Sequence, residues 1–318
     1  MTQTIKNQLI QNSRISFGAA SISGEGGGYG FGPISEKDAT QLIHYAVDKG
    51  LNVFDSAPIY GFGLSEKRLG KALKSMREKV ILTSKSGVSW HENGRVNMSN
   101  DPQLTEKMLL QSLKDLQTDY IDLYFIHWPD EKVDIRRPME VLARYQDKGV
   151  IKALGLCNTN LQDLHKAQQI ANIEVIQSEY NLFNPQVEVE ILPYCQEKQI
   201  TFMGWGTLDK GVLTGQYQLN KERDVSDCRR SAPWWKKSTV EKKLQLFQQI
   251  FPLIPEGYGP LDLAISFSLK NYPQSTALCG ARSPQQLDQL LAALKNVEQF
   301  QQKMDWPALE KLLLKSNL

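Results

Sequence analysis

The sequence has few residues of the kinds that build metal centres and disulfide frameworks. Its four cysteines stand alone among 318 residues, with no CxxC pair. This spacing argues against a disulfide framework and against a thiolate zinc site. The four histidines show no HExxH motif or other close ligand spacing, which removes the commonest histidine metal motifs. We therefore expect reduced thiols and no metal.

The sequence also lacks long apolar runs and an excess of one charge. No stretch approaches the roughly 18 to 20 apolar residues of a membrane helix, and the polar start MTQTIKNQLIQNSR is unlike a secretory signal. The 37 basic and 35 acidic residues leave a net charge of +2. This charge gives no electrostatic indication that the protein binds nucleic acid or an acidic membrane. We expect a cytoplasmic protein that binds neither; the sequence leaves the oligomeric state open.

Short apolar runs recur along the chain, and helix-like segments separate nearly all of them. Hydrophobic residues make up 41% of the chain and charged residues 23%, which is typical of a folded globular protein. The eight candidate strands cover residues 14–18, 51–55, 79–84, 120–126, 150–156, 173–178, 200–205 and 275–280. Apolar stripes at helical spacing follow in residues 35–49, 65–76, 103–117, 137–148, 161–171, 187–198, 259–271 and 284–294. Ser35 is the predicted cap of the first of these helices, and Gly50 its end.

Apolar strands that alternate with amphipathic helices are typical of parallel βαβ units, and eight of them favour a closed barrel over an open sheet. The predicted fold class is α/β, a (β/α)8 TIM barrel in a single domain over residues 1–318, with an extended, irregular loop insertion at about Thr207 to Gly259. The glycine run Gly24–Gly32 lacks the GxGxxG spacing of a dinucleotide-binding turn. We interpret it as a turn-rich, flexible loop and not as a phosphate site.

Four polar side chains lie at the carboxyl ends of successive candidate strands, where this fold carries its functional groups. They are Asp55, Tyr60, Lys85 and His127. A lysine cation lowers the pKa of a nearby phenol, a carboxylate holds the lysine charged, and an imidazole can donate to an oxygen that gains negative charge. Singly, each side chain has an ordinary structural role: turn former, packing aromatic, solvated cation or structural imidazole. The set predicts proton transfer to a carbonyl, and its lack of a hydride source implies a nicotinamide cofactor.

Several sequence blocks in order then resemble the aldo-keto reductase superfamily, and most closely its bacterial general-stress-protein branch. These blocks are FDSAPIYGFGLSEKRLG from Phe54, TSK ending at Lys85, SLKDLQTDYIDLYFIHWPD from Ser112, GLCN from Gly155, IQSEYNLF from Ile176, GVLTG from Gly211 and CGARSPQQ from Cys279. The resemblance implies a (β/α)8 barrel, no metal, and NADPH-dependent reduction of aldehydes or ketones. By matching position it implies Tyr60 as general acid, Asp55 and Lys85 as its activating pair, and His127 as the residue that orients the carbonyl.

The resemblance also implies a set of cofactor contacts along the barrel rim. They are Ala19, Ala20, Asp55, Asn158, Gln177, Trp205, Gly206, Leu208, Lys210, Gly280, Ala281, Arg282 and Gln286. Asn158 and Gln177 match the residues that hold the nicotinamide carboxamide, and Arg282 and Gln286 match those that meet the 2′-phosphate. The sequence departs from the family pattern at Cys157, where a serine is usual, and at Trp205, where a tyrosine is usual. Gln216 replaces a lysine of many relatives.

Our leading hypothesis is an oxidoreductase, an NADP-dependent aldo-keto reductase that acts on small carbonyl substrates. The insertion at about 207–259 is predicted to fold over the cofactor and to line the substrate pocket. One alternative is a nicotinamide-binding regulatory or accessory barrel with slow turnover, and a weaker one is a metal-free isomerase or lyase without cofactor. The intact set of four residues distinguishes the first from the second. The natural substrate and the direction of the reaction are open.

Overall fold

Eight parallel strands form a closed barrel in the computed structural model, which describes residues 5–11, 13–24 and 28–316. The strands are β1 (Ile15–Gly18), β2 (Val53–Asp55), β3 (Ile81–Ser86), β4 (Ile121–Ile126), β5 (Ile151–Cys157), β6 (Ile173–Glu179), β7 (Thr201–Trp205) and β8 (Ser275–Cys279). Each strand pairs with its neighbours in the chain, and β8 pairs with β1 to close the ring. All eight predicted strands and the predicted barrel are confirmed.

Helices surround the barrel. They are α1 (Ile5–Gln11), α2 (Glu36–Asp48), α3 (Leu64–Leu73), α4 (Pro102–Asp115), α5 (Arg136–Asp147), α6 (Leu161–Gln168), α7 (Ile191–Lys198), α8 (Cys228–Ser231), α9 (Lys237–Ile250), α10 (Pro260–Leu269), α11 (Pro284–Lys303) and α12 (Trp306–Lys315). Ser35 caps α2 as predicted, since its hydroxyl accepts from the amide of Asp38 at 3.0 Å. In the part of the chain that the structure describes, no helix is long and apolar enough to cross a membrane.

Side chains inside the barrel change from apolar to polar along the strands. One buried cluster contains the inward residues near the amino ends of the strands, together with Ile5 and Leu9 of α1, which close that end. Its strand members include Val53, Ile81, Leu123, Ala153, Val175 and Met203. Alternate residues of a strand face the same side, so the inward positions at the carboxyl ends fall to Asp55, Lys85, His127, Cys157, Gln177 and Trp205. The same alternation that builds the core therefore brings the predicted site together.

The insertion differs from the prediction. The stretch at about 207–259 was predicted to be irregular, but α9 covers Lys237–Ile250 within it, and Val240, Phe247 and Ile250 are buried along one side. The apolar positions are spaced at a helical period, so burial against the barrel stabilises a helix there. A hairpin of Val88–Trp90 and Val96–Met98 also follows β3, where no strands were predicted.

Candidate active site

A buried ion pair between neighbouring strands forms the base of the candidate site. Lys85 Nζ lies 2.7 Å from Asp55 Oδ2, and the two side chains are 0% and 1% exposed. The ammonium also donates to the carbonyl of Ser56 at 2.8 Å, and Thr83 Oγ1 donates to Asp55 Oδ1 at 2.7 Å. Burial alone would lower the pKa of Lys85, but the charges of Asp55 and Tyr60 outweigh it and raise that pKa. A cation is thus locked beneath the carboxyl end of the barrel.

Tyr60 lies directly over this cation, in the loop that follows β2. Lys85 Nζ is 5.2 Å from the centroid of the Tyr60 ring. The sequence predicts a lowered pKa for this phenol, but burial raises the pKa of Tyr60 to about 12, and the charge of Lys85 offsets only part of that rise. The expected direction was wrong because desolvation of the phenolate outweighs the nearby cation. Tyr60 is consequently a protonated hydroxyl at neutral pH.

His127 completes the group of four at the end of β4. Its ring centroid is 6.0 Å from that of Tyr60, in an edge-to-face arrangement. Burial, followed by the charge of Lys85, lowers the pKa of His127 well below its usual value. The ring is therefore neutral at pH 7, with one nitrogen able to donate a hydrogen bond. The structure brings Asp55, Tyr60, Lys85 and His127 together.

Gln177 and Cys157 are buried inside the barrel, where Gln177 contacts Asp55. Gln177 Nε2 donates to Asp55 Oδ1 at 2.9 Å, and Cys157 Sγ donates to Gln177 Oε1 at 3.5 Å. Both side chains are almost fully buried. The amide of Gln177 thereby supports the Asp55 carboxylate, a contact that sequence reasoning missed because it joins β2 and β6 across the barrel. Its predicted contact with a carboxamide stays a prediction.

The rim beside Tyr60 carries Asn158, Trp205 and Lys210. Trp205 Nε1 donates to Asn158 Oδ1 at 2.9 Å, and Asn158 Nδ2 donates to the carbonyl of His127 at 3.0 Å. Lys210 Nζ lies 5.6, 5.2 and 5.1 Å from the ring centroids of Trp205, Trp234 and Trp235. A flat indole, an amide and an ammonium thus share one side of the barrel mouth.

The loop after β7 is the first part of the insertion, and later residues of the insertion hold its unusual backbone in place. Asp209 and Lys210 have φ of 41° and 53°, in the left-handed region. Lys243 of α9 forms an ion pair with Asp209 at 2.8 Å, and Arg229 donates to the carbonyl of Lys210 at 3.1 Å. The carbonyls of Gly206 and Leu208 accept hydrogen bonds from the amides of residues 209 and 211, respectively. The later part of the insertion thus packs against its first turn; its predicted place over the cofactor stays a prediction.

Arg282 and its neighbours follow β8, which lies between β7 and β1 in the barrel. The Arg282 guanidinium donates to the carbonyls of Ser21, Gly32 and Pro33 at 3.1, 3.1 and 2.6 Å. Gln286 Oε1 accepts from the Arg282 amide at 2.8 Å. Arg282 lines a cleft of about 540 Å³ between the starts of α2 and α11. The predicted phosphate contact of Arg282 stays a prediction, and its contacts here anchor a loop.

The remaining predicted cofactor contacts lie close to the same rim. Ala19 is buried in a helical turn after β1, and its carbonyl accepts from Ser65 Oγ at 3.1 Å. Ala20 supplies its carbonyl to Ser23 Oγ at 2.8 Å. Gly280 approaches Ser21 so closely that a Cβ would lie 2.9 Å from the serine Cβ, and Ala281 is buried beside it. Among the described residues no group of three or more His, Cys, Asp or Glu is placed to hold a metal.

Comparison with known proteins gives a consistent result. A family model described as the aldo/keto reductase family matches residues 14–313. The chain is 36% identical over 291 residues to the aldo-keto reductase YhdN of Bacillus subtilis, which covers 90% of this chain and 86% of that protein. It is 29% identical over 300 residues to the NADH-specific methylglyoxal reductase of Escherichia coli, with 90% of each covered. The glycerol dehydrogenase AKR11B4 from Gluconobacter oxydans superimposes with a TM-score of 0.79 at 29% identity, over 96% of this chain and 92% of that one.

Proposed function

Because the chain belongs to the aldo/keto reductase family, we propose that it is an NADPH-dependent reductase of aldehyde and ketone carbonyls, with Tyr60 as the general acid. Members of this family are oxidoreductases that use a nicotinamide cofactor, and the specific roles of the residues are our proposal. The buried Asp55–Lys85 pair, directly beneath the Tyr60 ring, carries it. A cation held there without solvent has one clear chemical use, to stabilise negative charge that develops on the phenol above it.

The residues of the rim fit a nicotinamide dinucleotide by the chemistry of their groups. Trp205 offers a flat face next to the amide of Asn158, which suits a planar ring that bears a carboxamide. Lys210 and Arg282 offer cations after the adjacent strands β7 and β8, and Arg guanidinium is well matched to phosphate oxygens. When bound, the reduced nicotinamide supplies the hydride that no side chain can supply.

Tyr60 and His127 share the substrate oxygen in this proposal. The neutral imidazole of His127 donates a hydrogen bond to the carbonyl and fixes its direction toward Tyr60. The Tyr60 hydroxyl gives its proton to the same oxygen as that oxygen gains negative charge. Lys85, whose ammonium Asp55 holds in place, stabilises the resulting phenolate. Gln177 keeps Asp55 oriented by its hydrogen bond from the opposite wall.

The choice of NADPH over NADH rests on Arg282. The Escherichia coli relative is described as NADH-specific, so the family resemblance by itself does not decide the cofactor. The 2′-phosphate distinguishes the two cofactors, and its charge of near −2 requires cationic or amide donors. Arg282, with Gln286 four residues further on, supplies these at the position that matches the family's phosphate segment. We propose a preference for NADPH, made smaller by Gln216.

The test is the loss of NADPH absorbance at 340 nm across a panel of aldehydes, ketones and quinones, with NADH measured in parallel. The proposal predicts turnover of at least one class of carbonyl, faster with NADPH than with NADH. Tight binding of NADPH without turnover of any carbonyl in the panel would favour the accessory-protein alternative. Faster turnover with NADH would overturn the proposed cofactor choice alone.

A further inference from the structure

Tyr60 differs from its three partners in how the fold holds it. Asp55 and Lys85 lie within strands and His127 directly follows one, whereas Tyr60 lies in a loop five residues beyond β2. The three residues after it, Gly61, Phe62 and Gly63, have φ of 62°, 51° and 89°. Glycine adopts this region without strain, but the backbone of Phe62 persists there only where the surroundings determine it. The position of the Tyr60 hydroxyl must therefore depend on what packs against this loop.

The glycine-rich loop, here Ser23–Gly24 and Gly28–Gly32 of the described chain, packs there. Gly28 forms an antiparallel backbone bridge with Tyr60. A Cβ on Gly28 would lie 2.1 Å from the carbonyl oxygen of Ile59, and a Cβ on Gly61 would lie 2.5 Å from the carbonyl oxygen of Ser23. The two segments therefore meet backbone to backbone, at a distance that no side chain at Gly28 or Gly61 would permit.

The glycine-rich loop is held firmly at its base. Arg68, which is buried in α3, donates to the carbonyls of Ile22 and Ile34, the residues on either side of the loop. Arg282 donates to the carbonyls of Gly32 and Pro33. Two guanidinium groups thus fix the described part of a segment whose sequence alone predicts flexibility. Hydrogen bonds from charged donors are about twice as strong as neutral ones.

The other side of the glycine-rich loop contacts the insertion. The amide of Cys228 donates to the carbonyl of Gly30 at 2.9 Å, and Phe31 forms a backbone bridge with Asp227. Arg229, the next residue along, donates to the carbonyl of Lys210 in the loop after β7. A continuous series of contacts therefore runs from the Lys210 loop to Tyr60: the Arg229 side chain makes the first, and backbone contacts of the glycine-rich loop make the others.

We propose that the glycine-rich loop is a positioning element for the general acid, and that Gly28 is its critical residue. The loop fixes the backbone at Tyr60 and thereby the distance of the hydroxyl from Lys85 and from the substrate oxygen. This inference rests on the proposed role of Tyr60. A displacement of about 1 Å at a reacting group can cost roughly 100-fold in rate. Because the contact between Gly28 and the backbone next to Tyr60 leaves no free space, we expect the rate to be sensitive to a small change there.

The test compares Gly28→Ala with Gly50→Ala as a matched control. Both glycines have a left-handed φ, 63° at Gly28 and 86° at Gly50, but a Cβ at Gly50 meets nothing within 4 Å. Gly50 follows α2 at the amino end of the barrel strands. Backbone strain is therefore common to both variants, and the clash with Ile59 is not. We expect kcat to fall at least about tenfold in Gly28→Ala, with the Kd of NADPH unchanged, and to stay at the wild-type value in Gly50→Ala.

Combination with Tyr60→Phe separates positioning from general damage. If Gly28 acts through the Tyr60 hydroxyl, Gly28→Ala causes little further loss of kcat in the Tyr60→Phe background, because the group it positions is already absent. Losses that multiply in the double variant, or a wild-type kcat in Gly28→Ala, would overturn the inference while leaving Tyr60 as the acid. A wild-type kcat in Tyr60→Phe itself would instead overturn the proposed function.

Gly30→Ala serves if Gly28→Ala does not fold, as circular dichroism will show. A Cβ at Gly30 would lie 2.9 Å from Ser23 Oγ and from the carbonyl oxygen of Gly24, a milder clash within the glycine-rich loop itself. We expect a smaller loss of kcat that again disappears in the Tyr60→Phe background. A loss that persists in full in that background would overturn the inference.

Discussion

Two buried carboxyl groups contact the two faces of β3 and have different environments. On the inner face, Asp55 pairs with Lys85 at 2.7 Å. On the outer face, toward the helices, Ser84 Oγ donates to Glu66 Oε1 at 2.6 Å. Both acids have 0% exposure. Only the inner one has an ion-pair partner, since none is found for Glu66 within the described ranges of the chain.

The difference in partner sets the difference in chemistry. Burial raises the pKa of Glu66 to about 7, and the hydroxyls of Ser84 and Ser112 offset only part of this. In contrast, Asp55 shares a dry environment with an ammonium whose own pKa is raised. A buried carboxyl beside a cation can act as a charged orienting group, whereas one among hydroxyls becomes a proton-binding group near neutral pH.

Removal of the cation on the inner face has the largest expected effect. Lys85→Met leaves Asp55 as a buried charge without an ion-pair partner, which typically costs about 3 to 5 kcal/mol in the free energy of unfolding. It also removes the charge that lowers the pKa of Tyr60, so the alkaline limb of the pH–rate profile shifts upward or disappears. Because Tyr60 and Lys85 interact, that limb belongs to the pair.

Urea unfolding and a pH–kcat profile measure the two effects, with Lys67→Met as an exposed control on α3. If Lys85→Met left both the stability and the profile unchanged, Lys85 would have to lie away from Asp55 and Tyr60.

On the outer face of β3, we expect a substitution of Glu66 to stabilise the protein, whereas Lys85→Met destabilises it. The pKa of this carboxyl is about 7 in the folded protein, above its ordinary value of 4.5, so the folded state binds more protons between these pH values. The contribution of Glu66 to the free energy of unfolding is therefore most favourable below pH 4.5 and falls as the pH rises to about 7. Glu66→Gln removes this dependence, and we expect it to stabilise the protein at pH 8 by up to roughly 3 kcal/mol, but not at pH 4.5.

Urea unfolding at the two pH values measures the difference, with Glu131→Gln at an exposed site as the control. A Glu66→Gln variant whose change in stability is the same at both pH values would show that Glu66 titrates normally.

On the rim of the barrel, the Arg282 guanidinium donates hydrogen bonds to neutral backbone carbonyls. If it reads the 2′-phosphate, Arg282→Ala removes a charged hydrogen bond of about 1.5 to 3 kcal/mol and weakens NADPH binding roughly ten- to a hundred-fold. NADH binding should change far less. Quenching of tryptophan fluorescence measures both cofactors. An equal loss for both would mean that Arg282 serves only to anchor Gly32 and Pro33.

Sequence reasoning predicted the inner face of the barrel well. The strands and the inward positions of Asp55, Lys85 and His127 follow from one rule, the alternation of side chains along a strand. The contact of Gln177 with Asp55 follows from the same alternation, but its partner on the opposite wall depends on the closure of the barrel.

The rim and the loops were predicted less well, for physical reasons. The signal for α9 was present, since Val240, Phe247 and Ile250 recur at helical spacing, but the tryptophans and arginines before it obscured the pattern. Arg68 and Arg282 donate hydrogen bonds to backbone carbonyls that lie far from them along the chain. Backbone acceptors leave no mark in a sequence, so a glycine-rich stretch is predicted to be flexible whether or not it is anchored.

The most direct test of Tyr60 as the general acid is the single-turnover rate of oxidation of enzyme-bound NADPH in wild-type protein and in Tyr60→Phe, at saturating carbonyl. The ring of Phe fills the same space above Lys85 and lacks only the proton donor. General acid catalysis contributes roughly 10² to 10⁴ in rate, so the account predicts a loss of that size with the Kd of NADPH unchanged. An equal rate in the two proteins would contradict it.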